Sequence, residues 1–332
     1  MIKGNYRAEN PFITEGGIEI RELNIRYTTY GKLSEKEDNV IWIIHAYTAN
    51  SEAHDWWSGL VGEGKLFDPG KHFIVCANNP GSCYGTTGPT SVNPATGKVY
   101  GKDFPLVTVR DSARVLDLLR QHLGISKIRL VTGGSIGGQI ALEWAVIKPE
   151  LFDYLVPIAT NAKQSPWAIA FNEAQRMALE AGSYGLQAAR AVALLSYRGY
   201  SAFNLTQSET EEKTNGFRAA SYQRYQGKKL TDRFDSETYY TLSKVMDSHD
   251  LGRGRGSLAD VLKSINAQTL VIGISSDILF PVSEQKFLAD NIPGARLEVI
   301  DSDFGHDGFL IENDKLTALI RDFTEEKAQN DE

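Results

Sequence analysis

Short apolar, β-branched runs recur along this chain with helical patterns between them, and few folds accept that alternation. Val40-Ile41-Trp42-Ile43-Ile44, Phe73-Ile74-Val75-Cys76, Ile128-Arg129-Leu130-Val131 and Tyr154-Leu155-Val156 come first, and residues 269–274 and 296–300 resume the pattern near the end. Runs that are apolar on both faces suit the buried strands of a parallel sheet. Between them, residues 111–123 carry apolar side chains at Val115, Leu116, Leu119 and Leu123, with Gly124 placed to cap a helix. Residues 138–147 read as another helix, stopped near Pro149. Strand, helix and strand in succession require right-handed crossovers, so the expected class is α/β, a mostly parallel sheet flanked by helices. Residues 14–30 differ: the period-two alternation in Ile18-Glu19-Ile20-Arg21 and Ile25-Arg26-Tyr27 predicts antiparallel strands at the start of the sheet.

From 163 to 262 the strand pattern disappears. This stretch is helical and polar, containing N-E-A-Q-R-M-A-L-E-A and L-Q-A-A-R-A-V-A-L-L, and S-E-T-E-E-K-T-N-G reads as an exposed loop. The expected organisation is one sheet domain, 1–162 plus 263–332, interrupted by a helical insertion at 163–262. A last helix is expected over 314–325, followed by a charged tail at 325–332 that should fray. A chain of 332 residues can bury the core this needs. The net charge of −7 argues against a nucleic-acid surface, which needs a basic face. The N-terminus has no apolar leader and no apolar run approaches ~18 residues, so a cytoplasmic protein with no membrane partner is expected. Cys76 and Cys83 complete no zinc spacing and read as free thiols; no metal is expected.

The chemistry begins at Gly133-Gly134-Ser135-Ile136-Gly137. The pattern G-x-S-x-G between a strand and a helix places a serine on a tight, strained turn, with the free amides and positive dipole end of the helix beside it. Such a serine needs a base, and the base needs an orienting acid. The order nucleophile, acid, histidine is met by Ser135, Asp277 and His306. Asp277 follows the strand ending at residue 274, and His306 follows the last strand in D-F-G-H-D-G-F. Ligand and catalytic groups gather at these strand ends in open α/β sheets. Taken singly, the acid could be a turn former and the histidine a loop residue; it is their conjunction that points to catalysis. The oxyanion of an acyl-transfer intermediate should meet the amide of Ile136 and a second amide in His45-Ala46-Tyr47-Thr48, where Tyr47 is the candidate. These parts define acyl transfer through a serine ester and leave the acceptor open.

The chain resembles the homoserine O-acetyltransferases of methionine biosynthesis, in the α/β-hydrolase superfamily, from about residue 10 to 323. The resemblance is carried by H-A-Y-T at 45–48, C-Y-G-T-T-G-P at 83–89, F-P-L-V-T-V-R-D at 104–111 and G-G-S-I-G-G-Q at 133–139. A-L-E-W-A at 141–145, N-E-A-Q-R at 172–176, M-D-S-H-D-L-G-R-G-R-G at 246–256 and G-H-D-G-F-L at 305–310 complete it. It implies an α/β-hydrolase fold whose insertion forms a helical lid, and a homodimer built through that lid. It also implies a ping-pong reaction with acetyl-CoA as co-substrate and no bound cofactor. In that reaction Ser135 takes the acetyl group, His306 handles the protons, Asp277 orients the imidazole and L-homoserine accepts the acetyl group. Arg198 is expected to clamp the homoserine carboxylate, Asp307 to meet its amino group, and Thr48 to line the same pocket. An amino-acid zwitterion needs one fixed cation and one fixed anion, and arginine supplies a bidentate fork.

The chain departs from the family at Tyr47 and Pro80, where leucine is usual, and at Ile136, where methionine is usual. Tyr47 adds bulk and a hydroxyl beside the oxyanion site, and Pro80 fixes φ and removes an N–H. Relatives on the same scaffold that use succinyl-CoA or serine, and ester or thioester hydrolases, are the alternatives. Gly252-Arg253-Gly254-Arg255-Gly256 could suit phosphate, but a loop whose arginines pair with acidic residues is the preferred reading.

Overall fold

A computed structural model of the protein describes residues 1–328; the expected frayed tail lies partly at 329–332, outside the described residues. The central sheet has eight strands: β1 (Ile2–Arg7), β2 (Asn24–Tyr30), β3 (Val40–Ile44), β4 (Phe73–Ala77), β5 (Ile128–Gly134), β6 (Phe152–Ile158), β7 (Gln268–Ile274) and β8 (Arg296–Ile300). Their order across the sheet is β1-β2-β4-β3-β5-β6-β7-β8. β2 runs antiparallel to both neighbours and the other pairings are parallel. The apolar runs thus become strands as expected, and the order reverses at β3, so crossover loops open on either side of the β3–β5 seam.

Every residue of β3 is buried, because helices cover both faces. Helix α1 (Val109–His122) starts at a capping box in which Thr108 and Asp111 exchange side-chain and backbone hydrogen bonds. Gly124 follows it with φ +70°, a left-handed position suited to glycine. Helix α2 (Ile136–Ile147) is buried along most of its length and packs between β5 and β6. Trp144 meets Trp42 edge-on at 5.0 Å between ring centres, filling the space between helix and sheet.

Between β6 and β7 come α3 (Pro166–Leu179), α4 (Gly185–Tyr197), α5 (Tyr200–Gln207), α6 (Arg218–Thr231), α7 (Ser236–Asp247) and α8 (Leu258–Leu262). α3 begins on a Ser165 cap with Pro166 in its first turn, and α7 on an Asp235 cap. Helices α9 (Val282–Asn291) and α10 (Asn313–Ala328) close the chain, α10 running past the expected end near 325. No helix among the described residues is long and apolar enough to cross a membrane.

β1 was not anticipated from the sequence. It is a polar edge strand with no fully buried residue, so it carries no apolar run to read. Cys76 and Cys83 are free thiols. Arg253 and Arg255 lie in an ionic network with Arg110: Arg253 and Arg110 meet Glu15 at 2.8 Å, and Arg255 meets Glu143 at 2.6 Å.

Candidate active site

β5 ends at Gly134, and the chain turns so sharply into α2 that Ser135 takes φ 57° and ψ −126°. A non-glycine residue held there is strained, and the surroundings must impose it. They do so through the backbone: the Ser135 amide donates to Ile158 O, and its carbonyl accepts from the Gly138 and Gln139 amides and the Thr160 hydroxyl. The turn can be this tight because a Cβ on Gly133 would sit 2.7 Å from Ile44 O, and one on Gly137 would sit 2.3 Å from the same oxygen. Ser135 is buried, with its side chain lining a cavity.

The acid and base arrive on the loops after β7 and β8. His306 Nδ1 lies 2.7 Å from Asp277 Oδ2, and both residues are buried. The other Asp277 oxygen accepts from the Leu279 amide at 2.8 Å and the Phe280 amide at 2.9 Å, which fixes the carboxylate's orientation. Ser276 ties the two loops together, accepting from the Gly305 amide and donating to Ser302 O. Phe280, Phe309 and Tyr197 surround the imidazole with ring centres at 5.2, 5.3 and 5.8 Å. Burial alone would lower the His306 pKa, but the carboxylates of Asp277 and Asp307 outweigh it, and the pKa is raised above the ordinary imidazole value. With Nδ1 committed to Asp277, Nε2 is the nitrogen left to exchange protons.

Ser135 and His306 line one cavity of about 470 Å³, together with Tyr47, Thr48, Asp307 and Phe309. Ile136 is the first residue of α2, where the helix offers its amide no acceptor. Tyr47 stands in the turn after β3 and lines the cavity. His45 organises the turn. Its Nδ1–H donates to Ala46 O at 2.8 Å and its Nε2 accepts from the Asn79 amide at 3.0 Å, a pattern that only the neutral ring can make. Burial lowers the His45 pKa to about 4, so the ring stays neutral.

Of the three expected acceptor residues, one stands away from the cavity lining. Asp307 and Thr48 line the cavity; Arg198 does not, and Arg190 does. Arg198 lines a smaller neighbouring cavity of about 240 Å³ and reaches Asp307 from that side, its Nε 3.0 Å from Oδ2. That Nε makes no aligned hydrogen bond, so the contact is ionic. The physical reason is where the helix stops: Arg190 lies inside α4, whereas Arg198 stands past its end, where the backbone has become extended. Burial raises the Asp307 pKa, with Arg198, His306 and Arg190 opposing the rise.

Sequence reading missed Arg190, Tyr197, Lys229 and Arg233, all of which line the cavity. Arg190 had a visible cue, as the lone cation within A-A-R-A-V-A-L-L. Of the departures, Tyr47 lines the cavity but its hydroxyl is turned away, donating to Tyr239 O in α7 at 2.5 Å. Pro80 is buried and lies outside the cavity lining. No cluster of three or more His, Cys, Asp or Glu side chains among the described residues is placed to hold a metal ion.

Residues 39–312 match the family described as alpha/beta hydrolase fold. The chain is 49% identical to the homoserine O-acetyltransferase of Cyclobacterium marinum, with 97% of this chain and 95% of that protein covered. Among solved structures it resembles homoserine O-acetyltransferase from Bacillus anthracis, at 26% identity and a TM-score of 0.89 over 97% of each chain. Esterase E22 superposes with the same TM-score of 0.89 at 24% identity, covering 97% of this chain and 99% of that one, a likeness of fold alone.

Proposed function

Because the chain belongs to the homoserine O-acetyltransferase family of the α/β-hydrolase fold, we propose that it moves an acetyl group from acetyl-CoA to the side-chain hydroxyl of L-homoserine, for methionine biosynthesis. In this reading His306 Nε2 takes the Ser135 proton as Oγ attacks the thioester carbonyl. The resulting oxyanion meets the amides of Tyr47 and Ile136. Collapse breaks the C–S bond, and the imidazolium returns its proton to the departing thiolate. Homoserine enters, His306 deprotonates its hydroxyl, and the alkoxide attacks the acetyl-serine. O-acetyl-L-homoserine leaves and Ser135 regains its proton. Asp277 holds the imidazole in the productive tautomer throughout.

One observation carries the choice of acceptor. Arg190 and Asp307, a cation and an anion, line the cavity that holds Ser135 and His306. Transfer to a zwitterion uses that pair; hydrolysis by water has no need of it. We assign the homoserine carboxylate to Arg190, its ammonium to Asp307, a flanking position to Thr48, and to Arg198 the support of Asp307 from outside. Arg190→Ala should then raise the homoserine KM about tenfold to a hundredfold, as expected for loss of a charged hydrogen-bonding partner. Arg198→Ala should raise it less. Steady-state kinetics at saturating acetyl-CoA reads both, and the reverse ranking would return the clamp to Arg198.

We further assign residues 163–262 the role of a lid that excludes water while the acyl-enzyme waits. The lid also carries large apolar side chains in solvent, among them Tyr184, Tyr200 and Leu205 at 72%, 83% and 86% exposure. Such a concentration suits a partner surface, and the partner proposed is a second copy of this chain. A cytoplasmic location fits both proposed substrates.

A further inference from the structure

The turn that carries the Tyr47 amide is gripped from the inserted helices as well as from the sheet. Arg233, on the short loop between α6 and α7, donates from Nη1 to Thr48 O at 2.6 Å and to the Tyr84 hydroxyl at 2.7 Å. Its Nη2 lies 3.4 Å from Thr48 Oγ1. A guanidinium offers these donors in a rigid fork, so both ends of the contact are fixed together. The loop beneath it is itself held. Phe234 is buried, with its ring 5.8 Å from that of Tyr84 and 6.3 Å from that of Tyr239, and Asp235 caps α7 by accepting from the Thr238 amide at 2.8 Å. Tyr47 adds a second grip through its hydroxyl on Tyr239 O. From the sheet side, His45 fixes the same turn through Ala46 O and the Asn79 amide.

We propose that Arg233 is a positioning residue for oxyanion stabilisation: it holds the Thr48 carbonyl so that the neighbouring Tyr47 amide stays aimed at the reacting carbonyl. The inference rests on the assignment of that amide to the oxyanion hole. Preorganised donors lose most of their value when displaced by an ångström, because they must meet charge that develops only in the transition state. The inserted helices therefore complete the catalytic apparatus as well as cover it. Arg233 also lines the cavity, so its action through the turn must be separated from direct contact with a charged substrate.

p-Nitrophenyl acetate separates them, since it is neutral and carries neither the phosphates of a CoA thioester nor an amino-acid carboxylate. Its reaction forms the same acetyl-serine, breaking the ester C–O bond and releasing p-nitrophenolate, which is read as a pre-steady-state burst. For Arg233→Ala the expected result is acylation slowed about tenfold to a hundredfold at an unchanged half-saturating concentration. Arg233→Lys, with one cation to place, should recover part of the rate. Tyr84→Phe, which removes one anchor of the guanidinium, should slow acylation by a smaller factor. Arg233 is exposed, so the variants should keep the wild-type unfolding temperature. Acylation by p-nitrophenyl acetate within about twofold of wild type, with only the acetyl-CoA or homoserine KM raised, would overturn the proposal, since Arg233 would then act on substrate. p-Nitrophenolate release that persisted at the wild-type rate in Ser135→Ala would remove the acyl-serine reading, and this one with it.

Discussion

At the scale of single residues the proposed chemistry turns on His306. The negative charges of Asp277 and Asp307 hold its pKa above the ordinary imidazole value. The protonated ring cannot accept the Ser135 proton, so activity should be lost as pH falls through that raised pKa. Asp277→Asn removes the nearer charge, which destabilises the imidazolium and lowers the pKa. The acid limb of kcat/KM should therefore move to lower pH, while kcat falls about a thousandfold to ten-thousandfold because the tautomer is no longer fixed. A pH–rate profile of both proteins checks the sign and the size; a limb that stayed in place would mean that another group titrates. Ser135, Asp277 and His306 were legible in the sequence because each stands just past an apolar strand run. Arg190 was legible only as a lone cation in an apolar run, since which side of a helix faces a cavity is decided by packing against distant elements. Arg233 was less legible still: its bond to Thr48 spans 185 positions.

Among the elements, the junction of β5 and α2 determines whether the proposed nucleophile, Ser135, is held in its turn. Ala is the better helix former by about 1 kcal/mol, so propensity alone favours Gly137→Ala. Sterics oppose it: the added Cβ would lie 2.3 Å from Ile44 O, a backbone atom on a fully buried strand that cannot step aside. Overpacking of this kind costs about 1–3 kcal/mol, and here it moves the elbow itself. Gly137→Ala should lower both the unfolding temperature and kcat; thermal unfolding and initial rates measure them, and an unchanged kcat would show that the elbow tolerates the shift. The same junction shows how far pattern reading goes. The glycines announce the turn, the apolar runs announce the strands, and Gly124 announces the end of α1. β1 is silent because an edge strand with neither face buried carries no hydrophobic period.

At the scale of the whole molecule, one sheet and one helical insertion cooperate, the sheet presenting Ser135, Asp277 and His306 and the insertion presenting Arg190, Tyr197 and Arg233 to the same cavity. Exposed apolar side chains on the insertion fit a homodimer. Light scattering should therefore give twice the 36.7 kDa chain mass at micromolar concentration, and Tyr200→Asp with Leu205→Asp should shift the population toward monomer. A monomeric parent protein at that concentration would contradict the dimer. The account as a whole stands on acetyl transfer to homoserine through Ser135, and the direct measurement is thiol release from acetyl-CoA, with and without L-homoserine, with the product identified by mass spectrometry. The predicted result is release that depends on homoserine, yields O-acetyl-L-homoserine and vanishes in Ser135→Ala. Release equally fast without homoserine, or full turnover in Ser135→Ala, would contradict it.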